Sequence, residues 1–145
     1  MLSDALRKKP DHVPVLLRMA GLAAGRREFD AAVGHLRRAI KYEPNNTEVR
    51  LELGRILFEK GDPAGAIEQT EKALDQDRRN PDALYNLGAI HANLGNSRKA
   101  EQYWNQLIAS SPASESGRRA KTMLAQLGKD QKMASATHGP ESVGP

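Results

Sequence analysis

PDALYNLGAIHANLGNSRKAEQYWNQLIASSPAS, residues 81–114, carries two apolar stripes divided by a turn. Leu84, Leu87, Ile90 and Leu94 recur at three- and four-residue steps, as one face of a helix requires. Ala100, Trp104, Leu107 and Ile108 form the second stripe. Between them, Gly95 suits a helix stop and Asn96 a cap for the helix that follows. Asn80 and Pro81 open the stretch by the same logic, a cap ahead of a first-turn proline. Residues 81–114 read as helix, tight turn, helix.

Two other stretches share its columns at a spacing of 34. They are VPVLLRMAGLAAGRREFDAAVGHLRRAIKYEPNN (13–46) and TEVRLELGRILFEKGDPAGAIEQTEKALDQDRRN (47–80). Ala20, Gly54 and Gly88 form one column, Ala32, Ala66 and Ala100 a second, and Ala39, Ala73 and Leu107 a third. Met19, Leu53 and Leu87 precede the small-residue column each time. Gly61-Asp62-Pro63 supplies the turn of the middle unit. A fixed period of this size means stacked helical pairs, because one pair cannot bury its apolar face alone.

At this point the units resemble tetratricopeptide repeats, whose pattern is Trp-x2-Leu-Gly-x2-Tyr, then Ala-x3-Phe, then a proline. The third unit has Leu84-x2-Leu87-Gly88-x2-His91, Ala100-x3-Trp104 and Pro112. The second has Arg50-x2-Leu53-Gly54-x2-Leu57 and Ala66-x3-Thr70, with Arg78 in the proline's place. The first has Leu16-x2-Met19-Ala20-x2-Ala23, Ala32-x3-Leu36 and Pro44. The resemblance implies an all-α, right-handed superhelix of about three such repeats.

The phase continues past both ends. Leu2, Ala5, Leu6 and Pro10 fall one period before Leu36, Ala39, Ile40 and Pro44, so residues 1–12 read as a half-repeat helix. Either the chain is cut from a longer protein, the reading favoured here, or a lone helix covers the first repeat. After Pro112, Ser114 is placed to cap a last helix over 115–128, with Ala120, Met123, Leu124 and Leu127 on one face. Arg118, Arg119 and Lys121 lie off that stripe, as suits a polar-backed capping helix. Residues 129–145 have no period and few apolar residues and are expected to be disordered.

Composition narrows the classes. Only 4% of the 145 residues are aromatic and none is cysteine, so disulfides and thiol catalysis are excluded. No apolar run approaches the ~20 residues of a membrane helix, and MLSDALRKKPDH is too polar for a secretory signal. A cytoplasmic location is favoured, and the Ala-, Arg- and Gly-rich usage points to a bacterial source. The net charge is +4. Basic residues come in pairs, as at Arg37/Arg38 and Arg78/Arg79, but carboxylates interleave with most of them and no aromatic platform accompanies them. A solvated surface is expected rather than a nucleic-acid face.

Catalytic constellations are missing. His12, His35, His91 and His138 show no metal-ligand spacing, and Arg79 and Pro81 break the calcium-loop hint of Asp75, Asp77 and Asn80. No phosphate loop occurs. No cofactor, metal or enzymatic activity is expected. His91 and Trp104 stand in helix columns that suit packing better than binding.

The resemblance places function on the first helix of each pair, which lines a concave groove for an extended or helical peptide. Helical spacing sets Leu17, Leu51 and Tyr85 in one column, Arg18, Glu52 and Asn86 in the next, and Gly21, Arg55 and Ala89 after it. Phe58 and Asn93 belong to the last two. Phe58 and Tyr85 are expected as exposed apolar anchors, and Asn86 as a donor or acceptor for a ligand backbone. Arg18 and Arg55 either meet ligand carboxylates or are satisfied by Glu48, Glu52, Glu59 and Asp82. Gly21 and Gly25 either open the groove wall or simply weaken the first helix. The sites of the family's chaperone-carboxylate clamp hold Leu17, Gly21, Glu52, Asp82 and Asn86, whose two acids repel a carboxylate. The expected partner is a protein or peptide, with self-association through the repeat ends, or service within a larger assembly, as alternatives.

Overall fold

Turn chemistry sets the helix boundaries. The computed structural model describes residues 12–142, and seven helices follow one another there. These are α1 (Val13–Gly25), α2 (Phe29–Tyr42), α3 (Thr47–Lys60), α4 (Pro63–Gln76), α5 (Pro81–Asn93), α6 (Ser97–Ser110) and α7 (Glu115–Ser142). All but His12 of the expected half-repeat helix lies outside the described residues.

The period of 34 is visible atom by atom. The side-chain oxygens of Asn46, Asn80 and Ser114 accept from the backbone N–H groups of Val49, Ala83 and Gly117 at 3.1, 3.0 and 2.9 Å, capping α3, α5 and α7. A second column holds the turns within each pair. Gly61 and Gly95 have φ of 100° and 83°, and Arg27 takes the same left-handed conformation at 61°. At each, the N–H of the following residue returns to the helix it leaves: Glu28 to Ala23, Asp62 to Leu57 and Asn96 to His91. Asp62 caps α4 through Gly65, as its sequence suggests. Asn96 does not cap α6. Its amide lies 3.2 Å from His91 Nδ1, on the preceding helix.

The small-residue column explains how close the paired helices come. A Cβ on Gly54 would lie 2.5 Å from Thr70 Oγ1, and one on Gly88 would lie 2.2 Å from Trp104 Nε1. α1 packs on α2, α3 on α4 and α5 on α6, while α2–α3 and α4–α5 contacts join the pairs. The first helices α3 and α5 also touch, so first helices stand side by side along one face.

Two buried clusters result. One runs from Val13 through Leu16, Leu36, Val49 and Leu53 to Ala66 and Ile90. The other gathers Leu84, Ala100, Trp104, Leu107 and Ala120. Trp104 is wholly buried, as its column implies. Arg50, which stands where the repeat pattern has an aromatic residue, ties α3 to the preceding turn and to α4. Its Nε donates to Pro44 O at 2.9 Å and its Nη1 to Gln69 Oε1 at 2.8 Å.

One element differs from expectation. α7 continues fourteen residues past Gly128, to Ser142, where a disordered tail over 129–145 is expected. Gly128, with open space where a Cβ would go, costs the helix only about 1 kcal/mol, and Lys129 to Lys132 are all tolerable helix formers. Side-chain bonds add to this, with Gln126 Nε2 donating to Asp130 at 3.1 Å and Gln131 Nε2 reaching Glu101 on α6 at 3.2 Å. No described helix is long and apolar enough to cross a membrane.

Candidate functional site

Helix period separates the two faces of α3 and α5. Val49, Leu53, Ile56 and Leu57 are buried, as are Leu84, Leu87, Ile90 and His91. The positions between them turn away from the second helices and line two clefts. The first, of about 460 Å³, lies between α3, α5 and α7. α3 contributes Glu48, Leu51, Glu52 and Arg55; α5 contributes Asp82, Tyr85 and Asn86; α7 contributes Ser116 and Arg119. The second, of about 500 Å³, is lined by Leu17, Arg18, Glu43, Asn46, Glu48 and Glu52 among others. Glu48 and Glu52 are common to both.

Seven of the ten groove residues singled out by sequence therefore line the clefts: Leu17, Arg18, Leu51, Glu52, Arg55, Tyr85 and Asn86. Phe58, Ala89 and Asn93 do not. Phe58 is half-buried and packs on the first core cluster, outside both clefts. Ala89 packs on the second cluster. Asn93 is exposed at the end of α5.

The groove's charges are partly spent on one another. Arg55 lies between Glu52 and Glu59 on its own helix, and its Nε donates to Glu52 at 3.3 Å. The bond to Glu52 leads the factors that raise its pKa further. Ser116 Oγ donates to Asp82 Oδ1 at 2.8 Å. The Arg119 guanidinium carbon sits 4.4 Å from the centre of the Tyr85 ring, a cation–π pair. Tyr85 is fixed from behind as well, since the Trp104 indole N–H donates to its carbonyl at 3.1 Å. The Asn86 side chain is half-buried and makes no hydrogen bond to another described residue.

Ser116 and Arg119 are among the cleft residues that sequence reasoning missed, having counted Arg119 among the polar backing of a cap. The signal was present. They follow Asp82 and Tyr85 by one period, which makes α7 a first helix in its own right and carries the groove face onto it. Among the described residues no group of His, Asp and Glu is placed to hold a metal.

Tetratricopeptide-repeat family models match residues 17–81 and 57–127, which together span the helical pairs and the start of α7. The chain is a tetratricopeptide repeat protein. Among curated relatives, the human protein O-mannosyl-transferase TMTC3 is 30% identical over 110 residues, 74% of this chain but 12% of that protein. The chain thus spans about a tenth of the length of the curated relatives it matches. Among solved structures, YrrB, described as a repeat protein of this family with an unusual peptide-binding site, is 26% identical. It covers 83% of this chain and 62% of its own, with a TM-score of 0.72. The first repeat domain of Spaghetti (RPAP3), solved with the HSP90 peptide SRMEEVD, has a TM-score of 0.73 at 16% identity, over 83% of this chain and 93% of its own. That last likeness is one of fold.

Proposed function

We propose that this tetratricopeptide repeat protein is a non-catalytic interaction module that holds a partner peptide or helix along its first-helix face. The observation that carries the reading is the pair of clefts sharing Glu48 and Glu52, which makes one continuous lined surface across α1, α3, α5 and α7. Leu51 and Tyr85 supply apolar contact there, and the Asn86 amide supplies a sequence-tolerant partner for a ligand backbone. The unusual peptide-binding site described for YrrB supports a binding role for the family's scaffold. The much greater length of the curated relatives supports the alternative that repeats of this kind serve within larger proteins.

The test is paired capture of partners with the native chain and with a Leu51→Arg, Asn86→Ala double variant. Arg55 is left intact because two carboxylates already hold it. Both positions are off the core, so helicity and melting temperature are expected to stay near native. Loss of the captured partner from the variant alone is the expected result. Equal recovery by both forms would overturn the groove reading.

A further inference from the structure

The net charge of this chain and the charge of its groove point to opposite partners. The molecule as a whole carries +4, and by steering alone a basic protein attracts acidic segments. Its paired arginines at 26–27, 37–38 and 78–79 lie on turns and second helices, away from both clefts. The cleft walls instead place Glu43, Glu48, Glu52 and Asp82 beside three arginines. Two of those arginines are committed: Arg55 to Glu52 and Glu59, and Arg119 to the ring of Tyr85. The third, Arg18, is exposed, forms no ion pair with another described residue and lines only the second cleft. Glu48 differs in its place. It is exposed, it forms no ion pair with another described residue, and it stands on the wall common to the two clefts.

Resting on the groove reading, we propose that the partner is a basic peptide segment, with a lysine or arginine held by Glu48. The geometry supplies both halves of such a side chain's needs. Leu51 lies one helical turn along α3 from Glu48 and offers an apolar wall for the methylene stem, while the carboxylate takes the charged head. An acidic segment in the first cleft would meet the unpaired Glu48, while Arg55 there is already held by Glu52 and Glu59, and like charges across an interface select against the wrong partner.

The probes are three fluorescein-labelled extended peptides of one alternating design, with lysine, glutamate or serine at every second position, titrated by fluorescence anisotropy. The lysine peptide is expected to bind about tenfold tighter than the glutamate peptide. Glu48→Gln is expected to weaken the lysine peptide by about threefold and leave the serine peptide unchanged. Glu48→Lys is expected to move preference toward the glutamate peptide, a gain that loss of folding cannot imitate. Equal or tighter binding of the glutamate peptide to the native chain would overturn the proposal while leaving the groove reading intact. So would an unchanged lysine affinity in both variants. If none of the three peptides binds, the groove reading falls and this proposal with it.

Discussion

Glycine means three different things in this chain, and the surroundings decide which. Gly61 has φ of 100° with open space where a Cβ would go, so only backbone strain opposes a side chain there. Gly61→Ala should cost about 1 kcal/mol, read from chemical denaturation. Gly21 also has open space, but it lies inside α1. Gly21→Ala should gain about 1 kcal/mol by the same measurement, because helix propensity alone is at stake. Gly88 is filled ground: the added Cβ would strike the Trp104 indole. A loss of about 1–3 kcal/mol is expected for Gly88→Ala. The column of Gly54 and Gly88 was legible in sequence from its period. In the turn column, Gly61 and Gly95 were legible as helix stops, but Arg27 was not, because an arginine gives no sign of the left-handed conformation it adopts. Phe58 misled for a related reason, since spacing places a residue on a face but does not say how much of the ring its neighbours cover.

At the scale of helices, the joint between α4, α5 and α6 holds a polar group with an incomplete set of partners. His91 is buried, its ring stacks on Tyr103 with centroids 5.8 Å apart, and Asn96 meets its Nδ1. With that amide donating, the proton sits on Nε2, which is buried with no partner among the described residues. Burial, and then Lys99, lower the His91 pKa below its ordinary 6.5, against a smaller opposite pull from Glu71. The unfolded chain therefore takes up the proton first as pH falls. Stability from this group is complete above about 6.5 and is lost as pH drops toward the lower folded value. The melting temperature should fall between pH 7 and pH 5, and His91→Gln should flatten that dependence. An identical slope in both proteins would remove His91 as its source. The caps at Asn80 and Ser114 were readable because cap, proline and apolar stripe agree. The end of α7 was not: composition past Gly128 argues for no structure, and one of the two bonds that favour helix there reaches to Glu101, far away in sequence.

Across the whole molecule, the core is two clusters rather than one, divided near the α4–α5 junction. Contacts link neighbouring pairs, so stability is close to a sum of unit and interface contributions. Trp104→Ala removes the largest fully buried side chain and should cost about 3–5 kcal/mol. The loss should be uneven. Hydrogen exchange should show amides of α5, α6 and α7 deprotected well ahead of those of α1 and α2; uniform deprotection would mean the two clusters melt as one. The same arrangement bears on how such a chain changes length over generations. Arg118 and Lys121 stand one period after Leu84 and Leu87, the positions that each α5-like helix turns toward its own partner. A helix laid against α7 on that side would bury two cations, at a cost of several kcal/mol each. A duplicated block of residues 47–80, inserted before Pro81, would meet on both sides the surfaces that the original block already fits. Genes for this protein can gain or lose units in the middle far more cheaply than beyond α7, and each gain would add one more step to a continuous groove.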